Sequence, residues 1–96
     1  MKIRNVSHKG LKRFMERDDA SGLPPASVEK VRNIVTFLLE MESAQELRVF
    51  AHWTPHQLAG RRKGTWSLTV TKNWRLTFSV DEGEGEIHDL NLEDYH

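Results

Sequence analysis

Residues 65–80 read TWSLTVTKNWRLTFSV, two runs of alternating apolar and polar side chains that flank Lys72-Asn73. A period of two is typical of β-strands that bury one face of an antiparallel sheet. We therefore predict two antiparallel strands joined by a tight turn, with Asn73 in the left-handed conformation that such turns favour. The predicted buried face carries Trp66, Leu68, Val70, Trp74, Leu76 and Phe78. The predicted exposed face carries Ser67, Thr69, Arg75, Thr77 and Ser79.

Further strands are predicted on both sides of this pair. Residues 82–85 are rich in Gly and Glu and predict a turn. Ile87, Leu90 and Leu92 follow and indicate a third strand, although their alternation is imperfect. Near the N-terminus, residues 3–6 alternate over a length that suits a short first strand.

The first half of the chain has helical spacing. Leu11, Phe14 and Met15 predict a helix over residues 8–17, with Ser7 as its N-cap. Apolar residues at intervals of three and four predict a second helix over residues 25–41 that begins at a proline. Ser43 and Glu46 have the spacing of a capping box and predict a short third helical turn. The expected fold class is α+β, with an N-terminal short strand and two or three helices packed on a three- to four-stranded, mainly antiparallel sheet. We expect one domain over residues 1–96.

Charge is unevenly distributed along this neutral chain, which has 14 Lys and Arg against 14 Asp and Glu. Residues 47–80 contain no acid, and the last sixteen residues contain no Lys or Arg. A local basic field attracts a polyanion whatever the net charge, so nucleic acid is the first partner to consider. The cations of the acid-free stretch are Arg48, Arg61, Arg62, Lys63, Lys72 and Arg75.

Composition also limits the chemistry. The chain has no cysteine, which excludes disulfides, thiolate metal sites and a thiol nucleophile. His52 and His56 have the spacing of a helical metal pair, but Pro55 interrupts any helix between them, so we predict no metal and no cofactor. The sequence contains no apolar run that could span a membrane and no recognisable signal peptide, and we expect a cytoplasmic protein with no membrane partner.

Five segments together resemble one known family. They are HKGLK (8–12), SGLP (21–24), HQLAGRRKGTWSLTV (56–70), NWRLTF (73–78) and EDYH (93–96). In order and spacing they are similar to HigB-type toxins of the RelE/ParE superfamily of toxin–antitoxin modules, and the resemblance covers nearly the whole chain.

The resemblance implies a RelE-like fold and a ribosome-dependent mRNA endonuclease that uses no metal. In that chemistry the ribose 2′-hydroxyl attacks the adjacent phosphate, which needs a general base, a general acid and a fixed cation. The implied catalytic residues are His56, Arg75, Tyr95 and His96. The implied residues for binding RNA and the ribosome are Arg61, Arg62, Lys63, Lys72 and Arg75.

The same resemblance implies partners and one departure from the pattern. The expected partners are a cognate HigA-like helix–turn–helix antitoxin, the 70S ribosome with its mRNA, and operator DNA only through the antitoxin complex. Ala59 stands where members with a His-Pro-Leu-Lys-Gly motif carry a lysine, and an arginine cannot replace the proton transfer of that lysine. Two alternatives stay open: a ParE-like toxin that acts on gyrase, and a detoxified module that binds antitoxin and operator.

Overall fold

The computed structural model describes residues 1–50 and 52–94 and organises them around a five-stranded sheet. The strands are β1 (Lys2–Ile3), β2 (His56–Gln57), β3 (Trp66–Thr69), β4 (Trp74–Asp81) and β5 (Glu86–Asp94). Their order in the sheet is β1-β5-β4-β3-β2. β1 runs parallel to β5, and the other neighbouring pairs are antiparallel. The predicted α+β class is confirmed, and the two-residue β2 is one strand more than the sequence predicted.

The described residues form three helices, which pack against the apolar face of the sheet: α1 (Lys9–Arg17), α2 (Val28–Glu40) and α3 (Gln45–Phe50). Short 3-10 turns occupy Ala20–Gly22, Pro25–Ser27 and Gly60–Arg62. The third helical turn is present, and its capping box is formed, because the Glu46 carboxylate accepts the Ser43 N–H at 2.9 Å. No helix in residues 1–50 or 52–94 is long and apolar enough to cross a membrane.

The N-cap of α1 differs from the prediction. His8, not Ser7, holds the cap position, and its Nδ1 accepts the Leu11 N–H at 3.0 Å. The helix therefore begins one residue later than a serine cap would place it. At its other end, Asp18 takes a left-handed φ of 55° and donates its N–H to the Phe14 carbonyl.

A single buried cluster joins the helices to the sheet. It includes Leu11 from α1, Ile34 and Leu38 from α2, and Leu76 and Phe78 from β4, all without solvent exposure. Trp66 is buried as predicted, but Trp74 is only partly buried against the edge of this cluster. The prediction that both tryptophans are core residues is thus correct for Trp66 and only half correct for Trp74.

The first hairpin turns at Lys72-Asn73, as predicted. Thr71 and Trp74 exchange main-chain hydrogen bonds across these two residues, at 3.2 and 3.4 Å. The expected left-handed Asn73 is wrong, since the described non-glycine residues with positive φ are Asp18, Thr54 and Asp89.

A β-bulge in β5 explains its imperfect alternation. The register passes from Ser79↔His88 to Thr77↔Asn91, so β5 carries one more residue than β4 across this step. Asp89 has a left-handed φ of 56° at this point. The Asn5 side chain holds the bulge, since its Oδ1 accepts the Asp89 N–H and its Nδ2 donates to the Asp89 carboxylate, both at 3.0 Å. Beyond the bulge, Leu90 and Leu92 return to the core.

Candidate RNA-binding and catalytic face

The register of the sheet brings the predicted site residues to one face. His56 lies opposite Ser67, which lies opposite Thr77, and Arg75 lies between Thr69 and Glu93 on the adjoining rung. Directly opposed residues of antiparallel strands project to the same side of the sheet. His56 and Arg75 therefore belong to one polar face, away from the core side chains. Tyr95 and His96, the other two predicted catalytic residues, lie outside the described residues.

Arg75 is anchored to the hairpin turn at the end of this face. Its Nη1 donates to the main-chain carbonyls of Thr71 at 2.8 Å, Trp74 at 3.2 Å and Lys72 at 3.3 Å. These contacts leave the side chain half-buried, so the prediction of a fully exposed strand residue is wrong. These hydrogen bonds hold the guanidinium in place on the polar face.

His56 is exposed on the short strand β2. Its Nδ1 lies 3.3 Å from the Thr54 carbonyl, and Thr54 itself has a left-handed φ of 49°. An exposed imidazole is accessible to a substrate, and histidine is the most common general acid or base in enzymes. Within residues 1–50 and 52–94, no three His, Asp or Glu side chains are grouped as a metal site.

The basic loop between β2 and β3 contains the 3-10 turn Gly60–Arg62. Gly60 and Gly64 have φ of 70° and 90°, conformations that glycine adopts without strain. The side chains of Arg61, Arg62 and Lys63 are all exposed, and Arg62, whose side chain keeps 49 % of its exposure, also reaches back to β5. Its Nη1 and Nη2 donate to the two oxygens of Glu93 at 2.9 and 2.6 Å. The sequence predicted one role, RNA binding, for all three cations. In the structure Arg62 differs from the other two because it pairs with Glu93.

Glu93 is the residue of this face that the sequence analysis missed. Besides the Arg62 fork, its carboxylate accepts a hydrogen bond from the Thr77 hydroxyl. The hydrogen bonds from Arg62 are the main reason that the pKa of Glu93 is held below its usual range, and the same contact raises the pKa of Arg62. The sequence could have predicted this position from the neighbouring Leu92. If Leu92 points into the core, strand alternation places residue 93 on the polar face.

Two hydroxyl side chains predicted to be exposed are buried. Ser67 retains 3 % of its exposure and Thr77 retains 4 %. They lie beneath the Arg62–Glu93 ion pair, which lines a cavity of about 220 Å³ with them. The exposed-face prediction is thus wrong for both residues. The full lining of this cavity is Leu58, Arg62, Ser67, Arg75, Thr77, Glu93 and Asp94.

A second polar cavity, of about 260 Å³, lies on the other side of the ion pair. It shares Arg62, Thr77 and Glu93 with the first cavity and adds polar groups from Ser79 and Asn91. Larger grooves of about 490 and 660 Å³ run along α1. Of these four cavities, only the one of about 220 Å³ is lined by Arg75, and none of the four is lined by His56.

Other predicted cations have different surroundings. Arg48 packs over the Trp66 ring at 5.1 Å and donates to Gln57 at 3.2 Å, so it contributes to packing. Lys72 is exposed in the hairpin turn beside Arg75. Ala59 directly precedes the 3-10 turn of the basic loop and makes no side-chain cap there. The arrangement offers a fixed guanidinium, an exposed imidazole and a rim of cations, a combination suited to a phosphodiester.

Comparison with known proteins identifies the family of this chain. Residues 4–96 match the HigB-like toxin family, described as the RelE-like toxin of the type II toxin–antitoxin system HigB. Endoribonuclease HigB of Proteus vulgaris is 38 % identical over 96 residues, which cover 98 % of this chain and 99 % of that protein.

Solved structures share the fold at low sequence identity. The YoeB–YefM complex from Staphylococcus aureus matches with a TM-score of 0.61 and 17 % identity, and the YoeB/ParE toxin from Agrobacterium tumefaciens with 0.60 and 19 %. Each match covers 100 % of this chain and 99 % of the other. The fold is that of the RelE/YoeB toxins, and the chain belongs to the HigB-like family of RelE-like toxins from type II toxin–antitoxin systems.

Proposed function

We propose that this chain is an endoribonuclease toxin that cuts mRNA on the ribosome. The observation that carries the proposal is the placement of His56 and Arg75 on one polar sheet face, next to the exposed cations Arg61 and Lys63. The name of the Proteus vulgaris relative, an endoribonuclease, supports the same activity.

The proposed reaction is transesterification within the RNA. The ribose 2′-oxygen forms a bond to the adjacent phosphorus, the bond from phosphorus to the 5′-oxygen breaks, and a 2′,3′-cyclic phosphate and a 5′-hydroxyl result. Arg75 stabilises the extra negative charge of the five-coordinate phosphorus, since its fork fits phosphate oxygens. His56, Tyr95 and His96 are the proposed proton carriers, which remove the 2′-hydroxyl proton and protonate the 5′-oxygen.

Ala59 alters how this work is divided. The neighbouring cations of the basic loop, Arg61 and Arg62, keep their protons at all relevant pH values and cannot act as acid or base. We assign proton transfer to His56, Tyr95 and His96, and charge stabilisation to the cations of the basic loop.

The proposed partners follow from the same surface and from the family. Arg61, Lys63 and Lys72 bind phosphates of ribosomal RNA and mRNA, which positions the message against Arg75. The neutralising partner is a cognate HigA-like antitoxin, and the complex of the two binds operator DNA through the antitoxin. The Staphylococcus aureus neighbour, a YoeB–YefM complex, supports a proteinaceous partner of this kind.

The test is transcript mapping after expression with and without the antitoxin gene. We expect growth arrest with new mRNA 5′ ends that disappear when translation of that message is blocked. Arg75→Ala and His56→Ala should each lower cleavage by about 100-fold or more. Lys30→Ala, which removes an exposed cation of α2, is the matched control and should leave cleavage unchanged.

Three results would contradict the proposal. Growth arrest without translation-linked cuts excludes the mRNA nuclease. Toxicity that survives His96→Ala favours a ParE-like action on gyrase. A chain that is harmless when expressed alone favours the detoxified module.

A further inference from the structure

The Arg62–Glu93 ion pair connects two parts of the fold that are not neighbours in the sheet. Arg62 lies in the loop before β3 and Glu93 lies on β5, with β4 between these strands. The two residues are 31 positions apart in the sequence and form two charge-assisted hydrogen bonds. The Thr77 hydroxyl of β4 donates to the same carboxylate. Three separate elements therefore meet at one carboxylate, at the boundary between the two polar cavities.

Glu93 is also an anion at an unfavourable position for RNA binding. It lies directly opposite Arg75, the residue proposed to hold the scissile phosphate. An uncompensated carboxylate there would repel the phosphate. Arg62 supplies the compensating charge in fork geometry, which is the strong form of this ion pair.

The positive charge of Arg62 therefore neutralises Glu93 within the protein. Arg61 and Lys63, on either side of Arg62, are exposed as it is, but among the described residues Arg62 alone of the three forms an ion pair. The three cations of the basic loop consequently differ in role although they are adjacent in sequence.

We propose that Arg62 and Glu93 are positioning residues for the cleavage reaction, and that Arg62 does not itself bind RNA. Together with Thr77 they form a latch that ties the basic loop to the end of β5. This inference rests on the proposed nuclease function. Glu93 precedes Tyr95 by two residues. The latch holds the end of β5, which leads to the proposed proton carriers Tyr95 and His96. It also orients the loop that carries Arg61 and Lys63.

The test measures single-turnover cleavage of a defined mRNA on 70S ribosomes as a function of toxin concentration. Arg62→Ala and Glu93→Ala should each lower the rate constant at saturation by about tenfold or more, because misplaced groups lose reactivity even when bound. The half-saturating concentration should change little. The double variant should be no slower than either single variant, since residues that act as a unit are not additive.

Arg61→Ala is the matched control, because it removes the same side chain from the adjacent position. It should act mainly by raising the half-saturating concentration, and Lys30→Ala, on the exposed side of α2, should leave both parameters unchanged. Arg62→Lys keeps the charge without the fork and should resemble Arg62→Ala. If Arg62 binds phosphate directly, Arg62→Ala will resemble Arg61→Ala, and Glu93→Ala will tighten binding by removing an anion. Either result overturns the proposal.

A second measurement separates this inference from the proposed function and from simple loss of folding. Amide NMR spectra are recorded on the isolated protein, without ribosomes or RNA. In these spectra Arg62→Ala and Glu93→Ala should shift a common set of signals that includes Thr77 and Asp94. Arg61→Ala should not shift this set. Separate, non-overlapping sets would overturn the latch even if the chain cleaves RNA, and a common set would support it even if the chain does not. Circular dichroism defines the temperature at which every variant is folded, and both measurements are made there.

Discussion

At the scale of single residues, the cap of α1 shows how burial and protonation are coupled. The His8 ring accepts the Leu11 N–H through Nδ1, and only a ring nitrogen without a proton can accept. Burial lowers the pKa of His8, which favours the same neutral form. The cap and the desolvation therefore act together to keep this histidine uncharged in the folded protein.

His8 makes stability depend on pH. Because its pKa is lower in the folded state, its contribution is complete above about pH 6.5, the ordinary histidine pKa, and is lost as the pH falls toward the folded-state value. His8→Asn caps the helix without titrating in this range. Between pH 7.5 and 5.5 the wild type should lose up to about 1 kcal/mol relative to His8→Asn in urea unfolding. Equal losses in the two proteins would show that the His8 cap is not pH-sensitive.

Local pattern could not reveal which residue caps α1 or what covers the sheet. Serine is a common N-cap, so Ser7 was the natural prediction, and His8 is preferred because its ring lies partly buried over the first turn. Ser67 and Thr77 alternate with apolar neighbours as exposed residues do. Both line a cavity together with Arg62 and Glu93, whose contact spans 31 residues of sequence and leaves no local signal.

At the scale of elements, α1 and the turn Ala20–Gly22 approach each other through two glycines. A Cβ on Gly10 would lie 2.2 Å from the Gly22 carbonyl oxygen, far inside contact distance. A Cβ on Gly22 would lie 2.6 Å from the Gly10 Cα. The close packing of helix and turn therefore depends on the absence of side chains at both positions.

Gly10→Ala should reverse the usual effect of alanine in a helix. Helix propensity alone favours alanine by about 1 kcal/mol. Here the methyl group must displace the main chain of the Ala20–Gly22 turn, and we expect a net loss of about 2 kcal/mol. Thermal unfolding measures the effect, with Lys12→Ala on the exposed side of α1 as a near-neutral control. A melting temperature above that of the wild type would contradict the contact.

Elements with a repeating pattern were predictable, and elements defined by tertiary contacts were not. The alternation in residues 65–80 predicted β3, β4 and their turn, and the helical spacing predicted α1 and α2. β2 consists of His56 and Gln57 alone, both exposed, and is too short to carry a period. Asn73 needs no left-handed conformation because the turn closes without it.

At the scale of the whole molecule, the charge asymmetry of the sequence becomes a separation in space. Arg75 and Asp81 lie near opposite ends of β4, about 20 Å apart at a strand rise of ~3.3 Å per residue. At the acidic end, Arg4 pairs with Asp81 at 2.8 Å and with Glu86 at 2.9 Å. Asp81 and Glu86, beside the turn of the last hairpin, are thus partly neutralised by the N-terminal segment and lie far from Arg75, whereas Glu93 lies opposite Arg75.

RNA affinity should accordingly depend on the basic loop and on salt. For single-stranded RNA with 2′-O-methyl groups that block cleavage, log Kd should rise linearly with log salt concentration. Arg61→Ala combined with Lys63→Ala should reduce the slope by about 1.4, or ~0.7 for each lost phosphate contact. Lys30→Ala, on the helical side, should leave the slope unchanged. An unchanged slope in the double variant would show that the loop does not contact phosphate.

The function was predicted from the order of sequence motifs, whereas the fold was predicted from the periodicity of apolar residues. Alternation and charge predicted a polar, basic sheet face, and the structure shows His56 and Arg75 on it. The family was recognisable only from the order and spacing of motifs across the chain, and the match over residues 4–96 confirms it. The roles assigned to Tyr95 and His96 remain predictions, since both lie outside the described residues.

The bulge at Asp89 acts as a phase shift in β5. Counted from buried Ile87 without interruption, the alternation would turn Glu93 toward the core and Asp94 toward the polar face. The extra, left-handed residue Asp89 shifts the alternation by one residue. Glu93 therefore points to the polar face, where it pairs with Arg62. The electrostatics of the polar face therefore depend on chain length between Ile87 and Glu93 as much as on composition. A one-residue deletion in that interval would keep every later side chain and reverse the side to which each of them points.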